Sequence, residues 1–360
     1  MNTKFIVAAF LPIYPVTFGS SVVISSFFEN IPIKKKVLFQ ISTKRKIKNK
    51  FVRNTTCFNE NKLIKFFFVL VQIKNIIKEI SVKKEKKILI IEGASWVGYS
   101  FLLIVISKIF YPNIIIFYKG HSIEYEIRKK NNNIIISILS YYFEKIVYKL
   151  ANISSSVSYI EQNKIKKLYN VNTKIFPNII DYKKKKIKLK KKKYIFYSGS
   201  YDYLPNKYAI DRLVNNIIPK IHEKISSIQL VITGSKYLPY KFKWLKNLGL
   251  VSKKKYFKFL REASCVVVPT KEGYGTRVKI IEALCEGVVV VSSKIGIEGI
   301  KFNQKNPPPF ICSSDKIFVK NIVKVIKNKK YSKKAMEDRN IFVDTYSAKK
   351  NINKFLKYIL

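Results

Sequence analysis

The sequence predicts an α/β protein made of two doubly wound, mostly parallel halves, and three observations carry that prediction. Apolar, β-branched runs of strand length alternate with longer runs of helical period from one end to the other. A charge run, with nine lysines in the eleven positions 183–193, interrupts the alternation once and cannot be buried. Finally, 360 residues are too many for one ordinary domain and suit two of roughly 150–180 residues. A hydrophobic content of 48% with 14% aromatic residues is ample for two packed cores.

In chain order, FIVAAFL (5–11) reads as a first strand followed by a loop and a small helix. VLFQIS (37–42) is a second strand, leading through a basic stretch to a helix near Asn61–Ile80. ILIIEG (88–93) is a strand before a helix at about Val97–Phe110, and IIIFYKGH (114–121) is a strand before a helix through Ile135–Leu150. ISSSVS (153–158), a short helix at Glu161–Tyr169 and KIFPN (174–178) complete a first domain, residues 1–182. The linker 183–193 reads as a hinge. The second domain, 194–332, restarts with the strand YIFYSGS (194–200) and a helix over Asn206–Lys224, with Pro205 just before it. QLVITGS (229–235), a helix at Lys253–Ala263, CVVVPT (265–270) and a helix near Lys316–Lys327 follow. A C-terminal helical segment, 333–360, is expected to pack back across both halves.

The net charge is +48, from 70 basic and 22 acidic residues, a field that draws any polyanion. Almost all of it is lysine, with seven arginines, whereas base readout and bidentate phosphate clamping favour arginine. No specific nucleic-acid partner is therefore expected. Abundant Ile, Asn, Tyr and Phe point to an AT-rich coding bias that accounts for much of the lysine. The excess also suits a peripheral protein on an anionic membrane face. Cys57, Cys265, Cys285 and Cys312 form no C-x-x-C pair, which suggests reduced thiols and a cytoplasmic location. The apolar N-terminus is broken early by Pro12, Pro15 and Gly19, and neither 66–74 nor 100–110 is long enough to span a bilayer.

The most informative stretch is 265–300, CVVVPTKEGYGTRVKIIEALCEGVVVVSSKIGIEGI. It reads as a buried strand, a glycine-bearing loop, a short helix and a second buried strand, ending in a Gly-x-Glu-Gly turn. Gly275, Thr276 and Arg277 then lie at a helix N-terminus on the carboxyl edge of a parallel sheet. Free N–H groups and a forked cation meet there, as phosphate binding requires. The alternative is an ordinary helix start with a capping threonine. Glu282, on the same helix, suits ribose hydroxyls as an acceptor; the alternative is a surface pair with Lys279. Val278, Ile281, Leu284 and Cys285 read as the buried face, so Glu282 should point away from it.

These residues resemble the GT-B glycosyltransferases, which have two Rossmann-like domains facing across a cleft, and more narrowly family 4, the glycosyl transferases group 1. The resemblance covers almost the whole chain. It is carried by 197–221, by Gly-Thr-Arg-x-Lys-x-x-Glu within 263–300, by FLPIYPVTFGSS (10–21), by GHSIEYEIR (120–128) and by IFPNIID (175–181). It implies transfer of a sugar from a nucleoside-diphosphate-sugar donor to a glycan or lipid-linked acceptor. It further implies retention of configuration and no cofactor, and Asp-x-Asp is missing from the sequence. Surface polysaccharide or glycolipid synthesis at the inner face of the membrane is the implied setting. By the same resemblance His121, Arg277 and Lys279 are catalytic, while Gly19, Glu124, Gly275, Thr276 and Glu282 bind the donor.

The chain departs from the family pattern in two places. Tyr274 stands where many members have a first glutamate, with Glu272 two residues early. The loop Ser198–Gly199–Ser200–Tyr201–Asp202 lacks the usual arginine, so charge for a leaving diphosphate must come from Arg277 and Lys279, with Lys207 a weaker third. A degenerate partner subunit and a basic nucleic-acid-binding module are the alternatives to an active enzyme. For His121 the alternative is a hydrogen-bonded loop histidine.

Overall fold

The structure, a computed structural model, describes residues 3–32, 35–43, 47, 49–58, 61–82, 85–130, 134–182, 194–302 and 310–359. The lysine run expected as a hinge, 183–193, lies outside them. The chain divides into two compact units, Met1–Asp181 with Ala348–Leu360, and Tyr182–Ser347.

In the first unit the order is β1 (Thr3–Ala8), α1 (Gly19–Asn30), β2 (Lys36–Ser42), β3 (Val52–Thr56), α2 (Lys62–Ser81), β4 (Lys86–Gly93), α3 (Val97–Phe110), β5 (Ile115–Gly120), α4 (Glu124–Lys130), α5 (Ile134–Leu150), β6 (Ile153–Ser156), α6 (Tyr159–Tyr169) and β7 (Lys174–Ile175). Among the described residues they form a parallel sheet ordered β3-β2-β1-β4-β5-β6-β7. Val7 is in register with Leu38 on one side and Ile90 on the other. Phe5 and Val7 feed one core layer and Ile6 and Ala8 the opposite one, so the central strand is buried on both faces. That is why its sequence is continuously apolar rather than alternating.

In the second unit the order is β8 (Tyr194–Ser198), α7 (Leu204–Arg212), a π-helical turn (Leu213–Ile217), α8 (Ile218–His222), β9 (Gln229–Thr233), β10 (Leu245–Asn247), α9 (Lys253–Glu262), β11 (Cys265–Val268), α10 (Val278–Cys285), β12 (Val290–Ser292), β13 (Phe310–Ile311), α11 (Asp315–Lys327) and α12 (Lys330–Tyr346). The sheet order is β10-β9-β8-β11-β12-β13, again parallel, with Phe196 in register with both Val231 and Val266. Ser252 and Ser314 cap α9 and α11 with their hydroxyls. The helix expected over Asn206–Lys224 begins at Leu204 and widens at Leu213–Ile217. Pro219 explains the widening: it offers no N–H to the preceding turn, and a wider ring of hydrogen bonds absorbs the mismatch.

The C-terminal segment expected as one piece is divided between the units. α12 belongs to the second unit, and α13 (Ala348–Ile359) belongs to the first. Phe355 of α13 enters a cluster of rings, with centroids 5.0 Å from Phe27, 4.9 Å from Phe117 and 5.9 Å from Phe176. Burying one such ring contributes about 1.5–3 kcal/mol, enough to tether this helix. All four cysteines are buried and none is in a disulfide. Among the described residues no helix is long and apolar enough to cross a membrane.

Candidate active site

In the second unit the strand order reverses between β8 and β11, and the loops leaving those two strands diverge at their carboxyl ends. Doubly wound sheets bind ligands in that opening. The loop after β8 is pinned at Gly199, whose N–H donates to the Thr233 carbonyl at 2.9 Å. Any side chain at Gly199 would run into the Asn206 amide, its Cβ only 2.7 Å away, so the glycine is what lets Asn206 lie against this loop. The Oδ1 of Asn206 accepts from Tyr197 Oη at 2.9 Å and from Lys279 Nζ at 3.0 Å. The Lys279 ammonium also stands 4.1 Å from the Tyr197 ring centroid. The family-derived lysine of α10 is thus held at the carboxyl end of β8.

The loop before α10 sorts the other candidates. α10 starts at Val278 with Arg277 as its N-cap, so Gly275 and Thr276 precede the helix. Thr276 is buried, and Gly275 has φ of 66°, a left-handed turn that glycine adopts without strain. The Arg277 guanidinium folds back on its own loop, Nη1 donating to the carbonyls of Tyr274 (2.6 Å) and Gly275 (2.7 Å). Arg277 therefore braces the loop here, and Lys279 is the cation brought to β8. Lys207, the weaker third, has its ammonium 5.6 Å from the Tyr201 ring centroid.

Glu282 differs from expectation. It is buried, not turned away, because Ile280 through Cys285 are all buried while α10 packs against β11, β12 and α12. Its Oε2 accepts from Tyr256 Oη of α9 at 2.6 Å, and Tyr256 Oη lies 3.4 Å from Ser198 Oγ at the end of β8. Burial pushes the Glu282 carboxyl up to about 7, against the opposing pull of the Tyr256 hydrogen bond. Burial likewise pushes Lys279 down to about 7, aided by repulsion from Arg277. A desolvated acceptor and a desolvated cation, one turn apart on α10, suit a ligand that carries hydroxyls and negative charge. Tyr256 escapes sequence reasoning, because nothing in KKKYFKF marks it as facing a carboxylate.

In the first unit His121 follows β5 directly. It is buried, with Nε2 2.5 Å from Oε2 of Glu92, and Glu92 Oε1 lies 3.1 Å from Lys119 Nζ. Burial holds His121 below the ordinary histidine range, partly offset by Glu92. The signal for Glu92 was available: a lone carboxylate closes the apolar strand ILIIEG. Gly19 is the exposed first residue of α1, after a loop whose backbone at Ile13 and Tyr14 donates to Gln40 Oε1. Glu124 opens α4 and is ion-paired with Arg128 one turn on, its own N–H donating to Glu144 Oε1 at 3.0 Å. Glu124 thus does not join the His121 cluster. Among the described residues no group of three or more His, Cys, Asp or Glu could hold a metal ion.

Two parallel sheets with this strand order define a two-unit, doubly wound α/β protein, with a cation and a carboxylate at the β8 edge of the second. Residues 192–328, within the second unit, match the family model described as Glycosyl transferases group 1. The fold of both units is that of the GT-B glycosyltransferases. Staphylococcus aureus TarM, solved with fondaparinux, alpha-GlcNAc-glycerol and UDP, is similar at 15% identity with a TM-score of 0.62. That match covers 81% of this chain, which spans 58% of the length of TarM. Anabaena HepE, solved with UDP and glucose, is similar at 10% identity and a TM-score of 0.71, covering 99% of this chain and 98% of HepE. No curated protein matches the sequence.

The Glu282 carboxyl supplies a test by pH. A folded value of about 7 against an ordinary 4.5 means its stabilising contribution is complete below 4.5 and lost as pH rises through 7. Lys279, depressed to about 7, contributes in the opposite sense in both proteins, so comparing wild type with Glu282→Gln reports chiefly the carboxyl. Denaturant unfolding should show the variant close to wild type near pH 4.5 and more stable, by up to a few kcal/mol, above pH 7. A difference that does not grow with pH would contradict the buried setting of Glu282.

Proposed function

We propose that this chain transfers a sugar from a nucleoside-diphosphate-sugar to an acceptor, with the donor held at the carboxyl edge of the second sheet. The observation that carries the reading is the placement of Lys279 and Glu282 at the β8 edge, inside the span that matches the family model. Lys279 would meet the diphosphate, where an anion restores its charge and offsets the cost of burial. Glu282 would accept from the ribose hydroxyls. Gly275 and Thr276 would lie along the phosphates, and Arg277 would serve them by fixing their loop. UDP is the favoured carrier because both TarM and HepE were solved with it.

In this reading His121 would be catalytic and Gly19 would bind the donor, and Glu124 would contribute to donor binding only if it exchanges Arg128 for ligand. The resemblance to family 4 favours retention of configuration, and no metal would be obligatory, since lysine supplies the counter-charge to the diphosphate. A glycan or lipid-linked acceptor at the inner membrane face would complete the reaction. Exposed apolar side chains on helices beside α3 favour membrane contact: Leu63 (81% exposed) and Phe67 (62%) on α2, and Ile134 and Ile135 (both 73%) on α5. Lys65, Lys74 and Lys145 on the same helices supply positive charge.

A thermal-shift panel of UDP-, GDP- and ADP-sugars should show stabilisation by one nucleotide class, strongest for UDP. Lys279→Ala and Glu282→Ala should each weaken that binding about tenfold or more, or about 1.4 kcal/mol. Equal binding by both variants would overturn the site, and no binding by any nucleotide would overturn the function. For the membrane contact, vesicles of phosphatidylglycerol should co-sediment the chain and lose it when Leu63 and Ile135 are changed to Asp. Undiminished sedimentation of that variant would leave charge alone as the cause.

A further inference from the structure

Glu92, Lys119 and His121 form a buried cluster in the first unit, of which the proposed function uses His121 alone. Glu92 closes β4 and is fully buried, Lys119 sits beside it on β5 with 1% exposure, and His121 follows β5. The two carboxylate oxygens are divided, Oε1 to Lys119 Nζ at 3.1 Å and Oε2 to His121 Nε2 at 2.5 Å. The other side of the lysine is aromatic, with Nζ 4.3 Å from the Phe27 ring centroid and 5.5 Å from that of Phe176. A buried ammonium between two rings keeps its charge only beside an ionised partner, so Lys119 keeps Glu92 ionised. An ionised carboxylate only accepts hydrogen bonds, so the imidazole nitrogen facing it must carry a proton. Among the described residues, no hydrogen bond reaches the other ring nitrogen, Nδ1.

We propose that Glu92 and Lys119 are positioning residues that fix His121 as the Nε2–H tautomer, leaving Nδ1 to accept a hydrogen bond from a ligand hydroxyl. The ligand side of this statement rests on the proposed glycosyl transfer; the tautomer does not. His121 in this form takes a proton-sharing contact from a sugar hydroxyl and offers no donor of its own on the ligand side. It is thereby suited to selecting a hydroxyl over a phosphate oxygen, which needs a donor.

The chain contains two histidines, so the test is direct. Long-range 15N–1H spectra of histidine-labelled full-length protein near neutral pH report the tautomer of each ring, and His222→Gln assigns them. The wild type should show His121 with a protonated Nε2 and a bare Nδ1. In Glu92→Gln the single amide oxygen is claimed by Lys119, which can only donate, and the amide NH2 turns to the ring. His121 should then switch to the Nδ1–H tautomer. An Nδ1–H or averaging tautomer in the wild type overturns the proposal, as does a folded Glu92→Gln protein whose His121 tautomer is unchanged. If that variant does not fold, the wild-type spectrum alone decides. No nucleotide or sugar enters the experiment, so an inactive chain with Nε2–H His121 counts against the proposed transfer and not against this pair.

Discussion

One amide oxygen organises the candidate site of the second unit. Asn206 Oδ1 accepts from Tyr197 Oη on β8 and from Lys279 Nζ on α10, joining a strand, the helix that follows it and a helix much later in the chain. The arrangement exists because Gly199 leaves room for the Asn206 amide and because the parallel order brings β11 beside β8. With Asn206 removed, Lys279 would lose its hydrogen-bond acceptor while remaining against the Tyr197 ring. A partly buried ammonium without an acceptor is costly, so the amide and the cation are coupled.

Several charged groups lie where solvation is poor, and they separate into two kinds. Glu92 and Lys119 satisfy each other at close range, and His121 completes the set. Such a cluster is self-contained and specifies geometry. Glu282 and Lys279 have neutral hydrogen-bond partners, a tyrosine hydroxyl and an asparagine oxygen, and burial drives both toward their uncharged forms. Groups that lose stability in the free protein and would regain it with a polar, anionic ligand are the usual mark of a functional site. Both kinds lie at the carboxyl ends of parallel strands: Glu92 at the end of β4, Lys279 beside the end of β8.

Most of the fold was legible because parallel strands buried on both faces are continuously apolar, as in FIVA, ILII and CVVV. What was missed is short or polar: β3 (VRNTT), β10 (LKN) and β13 (FI), edge or near-edge strands with little core to fill, and α4, which is seven residues of mostly charged sequence. The site was legible as far as its helix. Lys279 and Glu282 could be picked out through the family motif, but the burial of Glu282 could not. A helix covered on several sides shows no single apolar stripe, and the packing of α12 against α10 comes from residues far along the chain. The hold of Arg277 on the Tyr274 and Gly275 carbonyls of its own loop is likewise invisible in sequence.

The central claim is that the β8 edge, and not the lysine-rich surface at large, binds a nucleotide. With a net charge of +48, weak attraction of any anion is expected everywhere, so location is what must be measured. Hydrogen exchange of the full chain with and without UDP, at physiological salt, measures it most directly. The account predicts protection concentrated in the loops at 198–206 and 269–279 and along α10. Protection absent from these segments, or spread thinly over lysine-bearing helices of both units, would contradict it.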